Sequence, residues 1–297
     1  MGKKGKKTLT GKPKKPTPKD IGKRLDALVK KLEEELKGAK LFAPLPPTDD
    51  CAICFVPHSR LNSEAYYSAC CGKVICVACS KENEASIKKR NEEKNAGKKV
   101  SFTCPFCREL IPATGLEALR RLQERCLQND PYAFTHMGQL YQRGSRHTPK
   151  HDLKALAYYI RAVELGSPEA CTIIGTSYNE GNGVSVDKKR ASFFERIGAL
   201  RGSVVARHNI GKSEYNSGNH EIAIRHWKIA AEAGYQESLD ALRSIYSSDG
   251  SGLLPGKEFI TKECLDSAYR ACHGAQMEVK SEEREKYRSK VQANKST

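Results

Sequence analysis

The segment that decides the fold reads CAIC at 51–54, CCGKVICVAC at 70–79 and CPFC at 104–107. It holds eight of the twelve cysteines in the chain. A C-x-x-C turn lets two thiolates converge on one metal ion, and zinc prefers four such ligands in a tetrahedron with each sulfur about 2.3 Å away. Three C-x-x-C pairs in one short segment, with an adjacent pair beside them, therefore indicate metal binding.

This pattern resembles the RING finger, a domain in which the first and third ligand pairs bind one zinc ion and the second and fourth pairs bind another. The resemblance implies a small two-zinc cross-brace domain over residues 51–110, with zinc as the cofactor. The first ion would be held by Cys51, Cys54, Cys76 and Cys79. The second would be held by Cys70, Cys71, Cys104 and Cys107.

The sequence departs from the commonest RING pattern at one ligand. Lys73 stands where that pattern has a histidine, and because lysine is a poor zinc ligand, the neighbouring cysteine must serve. Adjacent side chains of an extended chain point to opposite faces, so Cys70 and Cys71 can share one ion only if the backbone turns there, which Gly72 makes feasible. His58 is a reserve ligand. The alternative, an exposed loop histidine, is favoured by the general surface preference of this residue type.

The resemblance also implies a surface that docks a ubiquitin-conjugating enzyme. RING ubiquitin-protein ligases use an apolar residue inside the first pair, here Ile53, and residues near the last pair, here Pro105 and Phe106. Strongly activating members place a cation directly after the last cysteine, where Arg108 stands, and its planar guanidinium would bridge the conjugating enzyme and ubiquitin. The alternatives are core packing for Ile53 and a solvated charge for Arg108.

Charge is concentrated at the start of the chain. The formal net charge is +16, and residues 1–19 carry many lysines among Pro, Gly and Thr. Such a composition cannot bury enough apolar surface to offset chain entropy, so a disordered basic tail is expected. The tail could act as a nuclear localisation signal or contact nucleic-acid phosphates, but no aromatic residue is interleaved for base stacking. A merely solvated tail is an equally good interpretation.

Between this tail and the cysteines, apolar residues recur at spacings of three and four over 20–40. This periodicity predicts one amphipathic helix, with Asp20 as its cap. The proline-rich segment 41–50 then ends the helix and serves as a linker. After the last cysteine pair, residues 115–128 are predicted to form a linking helix.

Beyond residue 131 the sequence repeats itself. Gly138, Gly175 and Gly211 lie 37 and 36 residues apart, and each follows an Ala-containing stretch and precedes a tyrosine. A period of about 36 built from two helices is typical of a stacked helix-pair solenoid. The pattern over 131–275 resembles the Sel-one-like subclass of tetratricopeptide repeats, with tyrosines expected to fill between repeats at Tyr141, Tyr178 and Tyr215.

The fold class expected is therefore mostly α, with a small zinc domain followed by an α/α repeat solenoid and a polar tail over 277–297. Solenoids present extended grooves that bind other proteins, so we expect a protein partner on the repeats. No stretch approaches the length of a membrane helix. Thiols in metal spacing suit a reducing compartment, so a cytoplasmic or nuclear location, or both, is expected.

Two functions remain open from the sequence. The first is a RING-type ubiquitin-protein ligase that orients a ubiquitin thioester without forming a covalent intermediate, so that no residue of this chain is a nucleophile. The second is a noncatalytic zinc-binding adaptor that only assembles other proteins. Nucleic-acid binding through the lysine tail is a weaker third possibility, and it would depend strongly on salt.

Overall fold

The computed structural model describes residues 16–60, 65–94, 102–112, 114–247 and 255–278. The expectations for the lysine-rich start and the polar end of the chain lie outside these ranges, apart from their last and first few residues. Within the ranges the chain is mostly helical, which confirms the mostly α part of the predicted fold class. A short antiparallel hairpin is the described sheet, with Ala65 of β1 opposite Cys76 of β2.

The elements follow in chain order. The strands are β1 (Ala65–Ser68) and β2 (Lys73–Cys76). The helices are α1 (Pro18–Lys37), α2 (Val77–Lys94), α3 (Gly115–Leu127), α4 (Pro131–Arg143), α5 (Asp152–Glu164), α6 (Pro168–Glu180), α7 (Lys188–Leu200), α8 (Val204–Asn216), α9 (His220–Glu232), α10 (Gln236–Tyr246) and α11 (Lys262–Glu278). We call residues 51–112 the cysteine region and helices α4 to α11 the repeat array.

The repeat array is built from helix pairs, α4 with α5, α6 with α7 and α8 with α9. In each pair the central glycine of the first helix lies against a large side chain of the second. A Cβ added at Gly138 would lie 2.3 Å from the Tyr159 ring, and one at Gly211 would lie 2.6 Å from the Trp227 indole nitrogen. The repeated glycine is therefore required because the two helices approach too closely for any side chain.

Hydrogen bonds between first helices join one repeat to the next. The hydroxyls of Thr135 and Ser167 share a bond of 3.2 Å, and those of Thr172 and Ser203 share one of 2.9 Å. Ser167 and Ser203 are also the N-caps of α6 and α8. Each capping serine thus fixes its own helix and the stacking of the preceding repeat. Among the predicted tyrosines, Tyr178 is buried and stacks on Phe194.

Helix α1 begins earlier than predicted. Thr17, not Asp20, is its N-cap: the Thr17 hydroxyl accepts from the Asp20 N–H, and the Asp20 carboxylate accepts from the Thr17 N–H. This reciprocal capping box, with Pro18 at the first helical position, starts the helix inside the segment predicted to be a disordered tail. Residues Thr17 to Lys19 therefore belong to the ordered structure.

The apolar stripe of α1 packs on the repeat array, against α5 and α7. Its innermost side chains are at most 3% exposed, namely Ile21, Leu25, Leu28 and Leu32. Arg190 pairs with Asp26 at 2.7 Å, and Arg201 pairs with Glu35 at 2.9 Å, on the rim of this contact. Ion pairs whose carboxylates are exposed to solvent contribute little, so the buried stripe holds α1 in place.

The predicted linker 41–50 also lies on the repeat array. The Leu41 carbonyl accepts a hydrogen bond from Arg207, and the Phe42 ring lies 4.9 Å from the buried His226 ring. Helix α3 packs on α4 at the other end of the cysteine region. The cysteine region is thus anchored at both of its ends. None of the helices in the described ranges combines the length and the apolar character that a membrane span needs.

Candidate metal centre

Two tight turns of the same shape present the first and last cysteine pairs. In one, the Phe55 N–H donates to the Cys51 carbonyl at 2.9 Å; in the other, the Arg108 N–H donates to the Cys104 carbonyl at 3.1 Å. An isolated antiparallel bridge closes each turn. This geometry directs both thiols of each C-x-x-C pair to one side, as a shared metal ion requires.

The cysteines form two groups of four, and within each group all four sulfur atoms lie within 4.8 Å of one another. The first group is Cys51, Cys54, Cys76 and Cys79. The second is Cys70, Cys71, Cys104 and Cys107. The groups alternate along the chain and are the two sets that the RING resemblance implies. Each could hold a metal ion, and four thiol donors are the set expected for zinc.

The adjacent cysteines of the second group converge because the chain turns there. Gly72 adopts a φ of +73°, and its N–H donates to the Ser68 carbonyl at 2.8 Å. The turn brings Cys71 Sγ within 3.8 Å of Cys104 Sγ. A side chain at Gly72 would meet the Arg125 guanidinium, so both the φ angle and the available space require glycine at this position.

Backbone N–H groups surround the first group. Burial opposes ionisation of the Cys51 thiol, but N–H donors including those of Cys54 and Cys76 outweigh it and lower its pKa to about 7. Burial and the neighbouring thiols Cys76 and Cys51 raise the pKa of Cys79. Closely packed thiols with N–H donors directed at sulfur fit a site built to hold thiolates around a cation.

His58 is not a member of either group. Its expected alternative, an exposed loop histidine, is wrong, since only 9% of the residue is exposed. Its backbone N–H donates to the Asp49 carbonyl at 2.9 Å, next to the bridge that closes the first turn. The general surface preference of histidine therefore does not hold at this position.

The residues expected to dock a conjugating enzyme lie at the surface of the two turns. Ile53 is 37% exposed, so core packing is wrong for it, and Pro105 and Arg108 are also exposed. Phe106 is half-buried and packs against the first cysteine group. Sequence reasoning missed Phe55, which is 78% exposed. Its position directly after a C-x-x-C pair, equivalent to that of Arg108, was the available signal.

Phe55 and Arg108 share an unusual backbone conformation. Their φ angles are +53° and +61°, in the left-handed region that non-glycine residues adopt at a cost. Glycine would relieve that strain in each turn. An exposed aromatic ring and an exposed guanidinium therefore lie at positions where the backbone alone would favour glycine. Both side chains are candidates for a functional role.

A polar contact joins the cysteine region to the repeat array. The Tyr67 hydroxyl donates to Asp130 Oδ2 at 2.8 Å, and Arg125 donates to the same oxygen at 2.7 Å. The other carboxylate oxygen of Asp130 caps α4. The rings of Tyr132 and His136 stack on Tyr67. One carboxylate thus connects the hairpin, α3 and the first repeat helix.

Comparison with known proteins gives relatives for part of the chain. No protein-family model matches it. Chitin synthase regulatory factor 4 of Schizosaccharomyces pombe is 26% identical over 133 residues, which cover 44% of this chain and 21% of that protein. The chain therefore matches only about a fifth of the length of this curated relative.

Two solved structures resemble part of the fold. A Sel1 repeat protein from Oxalobacter formigenes has 32% identity and a TM-score of 0.44, covering 52% of this chain and 64% of that one. A protective antigen of uropathogenic Escherichia coli, displaying an SLR fold, has 22% identity and a TM-score of 0.43, covering 52% of this chain and 33% of its own. Both TM-scores are below 0.5. The description of the fold as a helical repeat array therefore rests on the helix pairs of this structure.

Proposed function

We propose that the protein is a two-zinc RING-type ubiquitin-protein ligase whose repeat array recruits a protein partner. The observation that carries this proposal is the alternation of two four-cysteine groups along the chain. With zinc in both groups, this alternation would be the RING cross-brace. In the proposed division, residues 51–110 form the zinc domain, 115–128 the linking helix and 131–275 the repeats.

The exposed side chains of the two turns support this role. Ile53 and Phe106 would contact the ubiquitin-conjugating enzyme, with Pro105 beside them. Arg108 would bridge that enzyme and ubiquitin through its fork of donors. A lysine amine of the substrate then attacks the thioester carbonyl, the isopeptide bond forms, and the cysteine thiolate of the conjugating enzyme leaves. This chain would contribute orientation of the thioester and no covalent step.

The first experiment measures zinc in the purified full-length protein. We expect two zinc ions per chain, and fewer in both Cys76→Ser and Cys71→Ser, which each remove a ligand from a different group. Cys264→Ser is the matched control because Cys264 lies outside both groups. One ion per wild-type chain, or full zinc content in Cys71→Ser, would contradict the assignment of the second group.

The second experiment measures discharge of ubiquitin from a panel of charged conjugating enzymes onto free lysine. Ile53→Ala and Arg108→Ala should each slow discharge by about tenfold or more, the loss expected for a contact made at the reacting complex. Ile222→Ala and Arg146→Ala are the controls, since Ile222 is 39% exposed and Arg146 is also exposed, both in the repeat array. No acceleration by the wild-type protein with any conjugating enzyme would reject the ligase function.

The second candidate is a noncatalytic zinc-binding adaptor. It is favoured by the adjacent ligands Cys70 and Cys71, which differ from the commonest RING arrangement, and by a relative named as a regulatory factor. Two zinc ions without ubiquitin discharge would select this candidate. Partner binding by the repeat array is common to both.

A further inference from the structure

Four arginines gather where the linker after α1 crosses the repeat array. They are Arg60, Arg196, Arg207 and Arg225, and we call them the arginine cluster. None of them forms an ion pair with a carboxylate in the part of the chain that the structure describes, whereas Arg190 and Arg201 nearby do. A concentration of like charge without counter-charges disfavours the folded state unless something else balances it.

Arg207 is the buried member of the cluster. It is 2% exposed, and its guanidinium donates to the carbonyls of Leu41, at 2.7 Å, and Ala199, at 3.3 Å. Its Nε has no hydrogen-bond partner among the described residues. Burial, with Arg60 nearby, lowers the pKa of Arg207 to about 10. Carbonyl groups accept hydrogen bonds from this buried guanidinium but do not neutralise its positive charge, so the charge can act on a neighbouring group.

His226 lies at the centre of the same site. It is fully buried, and neither ring nitrogen has a hydrogen-bond partner in the described part of the chain. Burial and then Arg207, Arg196 and Arg225 lower its pKa to about 4. Three arginines therefore act on one imidazole, and no carboxylate among the described residues offsets them.

Part of the cluster is open to solvent. Arg196 and Arg225 are exposed and Arg60 is half-buried. The Arg225 guanidinium lies 4.1 Å above the Phe42 ring, a contact that positions the group without using its N–H donors. Arg60 donates to the Pro46 carbonyl, which fixes it beside the linker. The cluster thus combines a buried charge with accessible guanidinium groups held in place by the linker.

We propose that the arginine cluster is a docking site for an acidic peptide segment of a partner protein. Aspartate and glutamate carboxylates would accept paired hydrogen bonds from Arg196 and Arg225, and the buried charge of Arg207 would strengthen them. Planar guanidinium forks match carboxylates in shape, and partly buried sites strengthen such bonds. The inference specifies the partner-recruiting role proposed above for the repeat array and rests on that role.

A peptide is favoured over a nucleic acid because the aromatic ring at the cluster, Phe42, is already engaged on both sides. Nonspecific binding of single strands needs aromatic faces on which bases can stack. Phe42 is the aromatic residue beside the cluster in these contacts, and Arg225 on one side and His226 on the other already engage its ring. Carboxylates need only guanidinium donors, and those of Arg196 and Arg225 have no hydrogen-bond partner among the described residues.

The test is fluorescence anisotropy of a labelled peptide of alternating glutamate and glycine, titrated with the full-length protein. The double variant Arg196→Gln with Arg225→Gln should bind the peptide about tenfold or more weakly than wild type. The matched control is Arg146→Gln with Arg270→Gln, which removes the same charge from exposed positions outside the cluster. The lysine-rich start of the chain is present in all three proteins, so its contribution cancels.

Equal losses in the two double variants, or no loss in either, would overturn the proposal. Tighter binding of a single-stranded oligonucleotide, weakened by the same Arg196→Gln and Arg225→Gln changes, would also overturn it. Circular dichroism of each variant confirms that the helices are intact. Because the assay contains no ubiquitin, its failure is distinguishable from failure of the ligase function. Discharge onto free lysine tests that function without any partner.

Discussion

The cysteine region and the repeat array are stabilised in different ways. The buried cluster of the cysteine region contains three cysteines with Ile75 and Ala78, so thiols make up much of its interior. The largest apolar cluster of the repeat array includes the stripe of α1 and side chains of α5, α6 and α7, and a second lies among α9, α10 and α11. With metal bound in both cysteine groups, the cysteine region would depend on its ligands, whereas the repeat array depends on side-chain packing.

Chelation should give the largest effect. Structural zinc contributes about 10–16 kcal/mol in small domains, far more than the sparse apolar core of the cysteine region can replace. A strong chelator should therefore remove hydrogen-exchange protection from 65–76 and 102–112 while α5 to α9 stay protected. Cys76→Ser should do the same, and Cys264→Ser should not. Melting of the repeat array on chelation would show that the two regions are not independent in this way.

Truncation of the α1 stripe should destabilise the repeat array and leave the cysteine region unchanged. Leu25 is fully buried, and Leu25→Ala should lower the free energy of unfolding of the repeat array by about 2–5 kcal/mol. Leu36→Ala should cost less because Leu36 is only partly buried. Denaturant unfolding followed by circular dichroism measures both. Zinc content should stay at the wild-type value, and a loss of zinc in Leu25→Ala would contradict the separation.

Glu195 gives the repeat array a pH dependence of its own. Burial raises its pKa to about 7 from a usual 4.5, although side-chain bonds from Asn209 and Asn179 and the charge of Lys188 oppose this. Below pH 4.5 both states hold the proton. As pH rises towards 7 the unfolded chain releases it first, so the free energy of unfolding falls, by at most about 3 kcal/mol.

The measurement is the melting temperature against pH for wild type and Glu195→Gln. The variant should gain stability relative to wild type between pH 4.5 and 7 and keep that gain above it. Wild type is compared with the variant at each pH because His226, whose pKa is lowered, makes the free energy of unfolding rise with pH over an overlapping range. A difference that does not change with pH would mean that Glu195 is ionised throughout.

The contact between the two regions should give the smallest effect. Tyr67→Phe removes the hydroxyl that donates to Asp130, which should cost about 1 kcal/mol of stability. Tyr132→Phe is the control, since Tyr132 keeps its stacking on Tyr67 and its hydroxyl has no bond to Asp130. If Tyr67→Phe instead released the cysteine region from protection altogether, the regions would be coupled far more strongly than we expect.

The local patterns could be predicted from the sequence. Cysteine spacing, together with the RING resemblance, gave both groups of four because a C-x-x-C turn has few possible shapes. The repeated glycines gave the helix pairs because their close approach recurs at a fixed interval. The apolar stripe of α1 was also predictable from the spacing of its apolar residues. The surface on which it packs was not, since α5 and α7 lie more than a hundred residues away.

Exceptions to a pattern were not predictable. Glu195 occupies the place that Tyr159 and Trp227 hold in the neighbouring pairs, facing the central glycine, and nothing in its sequence neighbourhood marks it as buried. The arginine cluster joins residues from the cysteine region, α7, α8 and α9, whose proximity depends on tertiary packing. Thr17 was missed as the cap because the composition of the basic tail outweighed one local capping signal.

The docking of α1 also affects how the protein is made. Asp26 pairs with Arg190, a sequence separation of 164 residues. At about 5–20 residues per second, Asp26 would be synthesised roughly 8–33 s before Arg190 of α7 exists. Until then the leucines of α1 would lack their complete native surface. Translation speed and access of chaperones to the nascent chain should therefore influence the yield of folded protein, and slowing synthesis between α1 and α7 would lengthen this exposed period.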